Sequence, residues 1–122
     1  MQKLIELSNL YFSLPTPAFK RYLFHKIDFK SKLIGILGQR GVGKTTLIKQ
    51  IAQNYSLSSQ KMLYISADNI TKTLSEIAIE FSSFGGELLI IDEIHKATNF
   101  ALELKTIYDF VDIKVIFSGS SA

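Results

Sequence analysis

The most informative segment of this sequence is Gly38-Gln39-Arg40-Gly41-Val42-Gly43-Lys44-Thr45. It matches in full the pattern Gly-x-x-x-x-Gly-Lys-Ser/Thr, in which the loop wraps around phosphate groups. The glycines at the first and sixth positions let the backbone approach an anion closely, and successive main-chain N–H groups then form an anion-binding nest. The segment therefore predicts a P-loop, or Walker A motif, for a nucleoside triphosphate.

The polar residues at the end of this loop have separate expected tasks. Lys44 supplies charge for the β- and γ-phosphates and is counted among the catalytic residues, while Thr45 supplies a hydroxyl ligand for Mg²⁺. The dipole of a helix starting near Lys44 adds only about 0.3–2 kcal/mol, so the nest, Lys44 and Mg²⁺ must supply most of the affinity. The residues expected to bind nucleotide are Gly38, Gln39, Arg40, Gly41, Val42, Gly43, Lys44, Thr45 and Thr46.

Short apolar runs alternate with amphipathic segments on both sides of the loop. The predicted strands are Leu33–Leu37, Met62–Ser66, Leu88–Asp92 and Lys114–Ser118, and the helices between them are Thr45–Gln53, Thr71–Phe81 and Asn99–Phe110. Nearly continuous apolar strands indicate burial on both faces, which is typical of a parallel sheet between helix layers. We predict an α/β P-loop NTPase three-layer sandwich over residues 32–122, preceded by an N-terminal helical segment, residues 1–31, with a helix at 2–13.

A second acidic motif follows the P-loop. Asp92 and Glu93 come directly after the apolar run 88–91, at the carboxyl end of a predicted strand, where open α/β sheets bind their ligands. As a Walker B motif, Asp92 would hold Mg²⁺ and Glu93 would polarise the attacking water. Solvated acids at an ordinary strand end are the alternative, which the presence of the P-loop disfavours.

Ser118 ends the fourth predicted strand, where a hydroxyl has two interpretations. It is a candidate catalytic residue that senses the γ-phosphate or the attacking water, or it is a turn residue. For Arg40, the sequence leaves two alternatives, contact with phosphate or contact with solvent alone. For His95 and Lys96, we expect a surface role rather than a catalytic one.

The P-loop segment 38–47, the acidic segment 88–96 and Phe-Ser-Gly-Ser-Ser at 117–121 resemble the prokaryotic AAA+ ATPases that carry a C-terminal domain of unknown function. The resemblance runs from about residue 18 to the end. It implies strand order 5-1-4-3-2, ATP rather than GTP, and the site roles given above. Members of this group often carry two arginines before Val-Gly-Lys-Thr, whereas here Arg40 is followed by Gly41.

The members of that group continue past residue 122, so the sequence suggests a sheet truncated after its fourth strand, in order 1-4-3-2. Residues 33–37 would then form an exposed edge, which invites self-association unless residues 1–30 cover it. An arginine finger contributes about 10³–10⁵ in rate, so without one slow ATP hydrolysis is expected. A P-loop kinase and a non-catalytic nucleotide-binding module remain the alternatives.

Composition narrows the remaining possibilities. The chain has no cysteine, which excludes disulfides, thiolate metal sites and thiol catalysis. A net charge of +3 with scattered basic residues is too mild to argue for nucleic acid, and the macromolecular client stays open. No apolar run approaches the roughly 18 residues of a membrane span, so no membrane partner and a cytoplasmic location are expected.

Overall fold

A computed structural model of the protein describes residues 1–13, 30–38, 44–55 and 57–120. The helices are α1 (Gln2–Ser13), α2 (Lys44–Asn54), α3 (Leu74–Ser83) and α4 (Phe100–Phe110). The strands are β1 (Leu33–Gly38), β2 (Met62–Ser66), β3 (Leu88–Asp92) and β4 (Lys114–Ser120). Short 3₁₀ turns span Ser59–Lys61 and Ile94–Lys96.

The four strands form one parallel sheet in the order β1-β4-β3-β2. This confirms the predicted α/β class and the predicted 1-4-3-2 order. In register, Ile36 lies opposite Ser118, and Ser66 lies opposite Asp92. The carboxyl ends of all four strands therefore lie along one edge of the sheet, where a parallel α/β fold places its ligand site.

Helices cover both faces of the sheet, which gives the three predicted layers. On one face, Ile48 and Ile51 of α2 pack with Ile90 and Ile116 of the central strands. On the other face, α3 and α4 pack over the alternate strand residues, such as Ile91. Because strand side chains alternate between faces, residues 64, 92 and 118 share the face that α2 covers.

Several element boundaries differ from the predicted ones by one to three residues, and two of the differences have identifiable reasons. Helix α3 begins at Leu74 rather than Thr71, because Thr73 is its N-cap and accepts a hydrogen bond from the main-chain N–H of Glu76. Strand β4 runs two residues beyond Ser118, because Ser120 pairs with the last residue of β1, Gly38.

Helix α1 lies against the edge strand β2. Ser8 is buried, and its Oγ accepts a hydrogen bond of 2.8 Å from the main-chain N–H of Tyr64. Residues 2–13 therefore cover the edge of the sheet at β2. The sequence suggested residues 1–30 as a cover for the opposite edge, at β1. Residues 14–29 lie outside the described part. Among the described strands, β1 pairs only with β4. None of the described helices is long and apolar enough to span a bilayer.

Candidate functional site

The sequence-predicted site residues that the structure describes lie at or near the carboxyl ends of strands or in the first turn of α2. Gly38 is the last residue of β1, and Lys44, Thr45 and Thr46 form the first turn of α2. This strand-then-helix context is the one that a phosphate loop requires. Residues 39–43, and the side chains of 38 and 44–47, lie outside the described part, so their predicted phosphate and Mg²⁺ contacts stay predictions.

Asp92 is the centre of a hydrogen-bond network that joins three strands. Its Oδ1 accepts a bond of 2.6 Å from the hydroxyl of Ser118 on β4 and one of 2.9 Å from the main-chain N–H of Glu93. Its Oδ2 accepts a bond of 2.7 Å from the hydroxyl of Tyr64 on β2. Hydrogen bonds to a charged acceptor are about twice as strong as neutral ones, so the carboxylate is held firmly from both sides.

A count of the described hydrogen-bond donors shows which acceptor position of the Asp92 carboxylate they leave unoccupied. A carboxylate offers about four acceptor positions, two on each oxygen. Among the described residues, two donors occupy Oδ1 of Asp92 and one occupies Oδ2. The position that no described donor occupies is on Oδ2, beside the hydroxyl of Tyr64.

Tyr64 is a reliable donor in this network. Burial, and next the hydrogen bond to Asp92, raise the pKa of the Tyr64 phenol well above its usual value. The hydroxyl therefore keeps its proton at neutral pH.

Glu93 has an unusual backbone and an unsatisfied carboxylate oxygen. Its φ of 55° and ψ of 45° lie in the left-handed region, which costs a non-glycine residue about 1–2 kcal/mol. Within the described part of the chain, its Oε2 is buried and accepts no hydrogen bond. Nε2 of His95 lies 3.2 Å from that oxygen without hydrogen-bond geometry, so the contact is an ion pair only when the imidazole is protonated.

The structure brings together Asp92, Glu93 and Ser118, which the sequence singled out, and adds Tyr64, which it did not. Ser118 is fully buried, and its single hydroxyl proton is donated to Asp92. In this arrangement Ser118 supports the carboxylate, and its predicted role in sensing phosphate stays a prediction. Tyr64 lies two residues before the end of β2, and its side chain is on the same face of the sheet as that of Asp92. Its position points to the site only when β2 and β3 are known to be neighbours.

Comparisons with known proteins agree with this architecture. A family model described as an AAA domain matches residues 30–122. The chain belongs to this family of AAA domains. An uncharacterized protein of Methanocaldococcus jannaschii is 35% identical over 105 residues, which cover 76% of this chain and 22% of that protein.

Solved structures resemble this AAA domain in fold. The Thermotoga maritima RuvB Holliday junction branch migration motor has a TM-score of 0.54 and 18% identity, and the match covers 99% of this chain and 38% of RuvB. A mutant of the same motor has a TM-score of 0.52 and 20% identity, with 100% of this chain and 39% of the mutant covered. The chain thus spans less than half the length of the proteins it matches, and at such identities the likeness shows the P-loop NTPase fold alone.

The described residues include carboxylate oxygens of the kind that suits a hard cation. Asp92 presents a carboxylate oxygen with an open acceptor position at the ligand edge of the sheet, and hard cations prefer such oxygen ligands. Oε2 of Glu93, the next residue in sequence, is buried and accepts no hydrogen bond from the described residues. Carboxylates of two consecutive residues, Asp92 and Glu93, thus lie at the carboxyl end of β3.

Proposed function

We propose that this AAA domain binds ATP with Mg²⁺ and hydrolyses it through its Walker A and Walker B motifs. The observation that carries the proposal is the position of Asp92. Its carboxylate is held by Ser118 and Tyr64 at the ligand edge of the sheet, on the face covered by α2, the helix that follows the phosphate loop. A chance strand-end acid would have no need of two buried or half-buried hydroxyl donors.

The proposed roles follow from the chemistry of each group. Residues 38–46 bind the triphosphate, with Lys44 on the β- and γ-phosphates, and Thr45 and Asp92 hold Mg²⁺. A bound Mg²⁺ supplies charge that offsets the negative phosphates. Glu93 accepts the proton of a water whose oxygen attacks the γ-phosphorus, while the bridging oxygen leaves with ADP. Ser118 keeps Asp92 in place, and its role as a sensor belongs to the same proposal.

Binding measurements test the first half of this proposal. The affinities for ATP and GTP are measured by titration calorimetry, with and without Mg²⁺, on the wild-type chain and on Lys44→Ala. We expect binding that is tighter for ATP, strengthened by Mg²⁺ and lost in Lys44→Ala. Absence of binding in the wild type, or equal binding by the variant, would contradict it.

Replacement of Glu93 tests the second half. Glu93→Gln removes the proton acceptor and keeps the size of the side chain, so the variant should bind ATP and lose hydrolysis, a step to which a general base contributes about 10²–10⁴-fold. Phosphate release is followed with ATP alone, and no second substrate should be needed, unlike in a kinase. If wild type and variant both bind ATP and neither hydrolyses it, the chain is a nucleotide-binding module without catalysis.

Three coarser proposals concern the association, the location and the extent of the domain. The β1 strand pairs only with β4 among the described strands, and self-association between chains through its other edge belongs to this proposal. Light scattering should then give a mass above 13.7 kDa, and a monomer with residues 33–37 open to solvent would contradict the idea.

We propose a cytoplasmic location, which cell fractionation tests directly. The boundary at residue 32 between the N-terminal segment and the ATPase domain also remains a proposal.

A further inference from the structure

Helix α1 lies before the part of the chain that the AAA-domain family model matches, yet it contacts the Asp92 network. The ring of Tyr11 stacks on the ring of Tyr64, with centroids 3.8 Å apart and planes 4° from parallel. Ser8, one turn earlier on the same helix, accepts the main-chain N–H of Tyr64 at 2.8 Å. Helix α1 therefore holds both the backbone and the ring of the residue that donates to Asp92.

Tyr11 also connects α1 to the helix that follows the phosphate loop. The ammonium of Lys49, on α2, lies 5.3 Å from the centroid of the Tyr11 ring. Cations are attracted to the face of an aromatic ring at such distances. A single side chain of α1 thus contacts both β2 and α2.

We propose that α1, through Ser8 and Tyr11, positions Tyr64 and thereby the Asp92 carboxylate, so that the effect of Mg²⁺ on nucleotide binding depends on the docking of α1. This inference rests on the proposed function of the site. Tyr64 is a positioning residue here, because it acts on the metal through Asp92. The N-terminal helix becomes part of the nucleotide site.

The direction of the effect follows from the acceptor position on Asp92 that no described donor occupies. That position is on Oδ2, the oxygen to which Tyr64 donates, so the phenol determines where the remaining lone pair points. Without the phenol, the carboxylate loses its only described donor on that oxygen and is held through Oδ1 alone, by Ser118 and the N–H of Glu93, so the direction of Oδ2 is less restricted. Loss of a hydrogen-bond partner behind a metal ligand commonly reduces metal affinity or activity by about 10–100-fold.

The first test removes one hydroxyl. The dissociation constant of ATP is measured with and without Mg²⁺ for wild type, Tyr64→Phe and the control Tyr108→Phe, whose side chain is exposed on α4. The constant without Mg²⁺ divided by the constant with Mg²⁺ gives the factor by which Mg²⁺ strengthens ATP binding. We expect this ratio to fall by about 10-fold in Tyr64→Phe, with the Mg²⁺-free affinity unchanged, and to keep its wild-type value in Tyr108→Phe. A wild-type ratio in Tyr64→Phe would overturn the inference.

The second test addresses α1 itself. Tyr11→Ala removes the stacked ring, whereas Leu10→Ala changes a 60% exposed neighbour on the same helix. The Mg²⁺ effect should decrease in Tyr11→Ala and persist in Leu10→Ala. Because coupling between two sites is reciprocal, Mg²⁺ with ATP should also slow hydrogen exchange at residues 2–13 of the wild-type chain, more than ATP alone does. Equal exchange in both conditions would contradict the coupling without requiring any variant to fold.

These results separate the inference from the function on which it rests. If the wild type binds no ATP, or binds it as well in Lys44→Ala, the proposed function fails and the inference fails with it. If binding depends on Lys44 and the Mg²⁺ effect is intact in Tyr64→Phe, the positioning role alone is wrong.

Discussion

Ser118→Ala is expected to destabilise the domain through a single lost hydrogen bond. The hydroxyl of Ser118 is fully buried and donates to Asp92 at 2.6 Å, and bonds to charged groups contribute about 1.5–3 kcal/mol. Asp92 is only half-buried, which favours the lower part of that range. The substitution removes one oxygen and leaves little cavity. We therefore expect a loss of about 1.5–2 kcal/mol in the free energy of unfolding.

Urea unfolding followed by circular dichroism measures this loss. The midpoint should fall by roughly 1 M, and the melting temperature by roughly 5–10 °C. Ser83→Ala is the matched control, since its hydroxyl donates to the carbonyl of Glu80 at an exposed position and its loss should stay within about 0.5 kcal/mol. Equal stability of Ser118→Ala and the control would mean that the Asp92 network does not hold the site.

Three further substitutions have effects that the described contacts determine. Gly86→Ala places a methyl group against the buried ring of Phe81 and should cost about 1–3 kcal/mol of unfolding free energy in urea. Thr73→Ala removes the N-cap of α3 and should cost about 1 kcal/mol, measured in the same way. The N–H of Ser75 donates to Glu103 and lowers the pKa of its carboxyl from the usual 4.5, so the native state is stabilised at neutral pH and loses this stabilisation as the pH falls through the lowered pKa. Glu103→Gln should therefore be less stable than wild type at pH 7, with the difference narrowing toward pH 3.

Much of the fold could be predicted from local patterns. Apolar strands such as Leu88–Asp92 and Met62–Ser66 begin and end where their residues indicate, since burial on both faces leaves little ambiguity. The strand order came from the family resemblance, because nothing within one strand names its neighbour. The predicted start of α3 at Thr71 is wrong by three residues, because the N-cap hydrogen bond of Thr73 fixes the first turn at Leu74.

Some residues of the candidate site can be predicted from local sequence, whereas others depend on tertiary contacts. Asp92 and Glu93 are recognisable in sequence because the motif is contiguous. Tyr64 and Tyr11 are not, because their contact with the Asp92 network arises only when β2 lies beside β3 and α1 docks on β2. An isolated tyrosine in a strand has the pattern of an ordinary core residue.

A crystal structure with Mg²⁺ and a non-hydrolysable ATP analogue addresses the nucleotide site itself. We expect the triphosphate to contact the main-chain N–H groups of residues 38–45, with the metal bound by Thr45 and within reach of Asp92 through a water molecule. A nucleotide bound elsewhere, or a metal remote from Asp92, would contradict the assignment of this edge of the sheet as the ATP site.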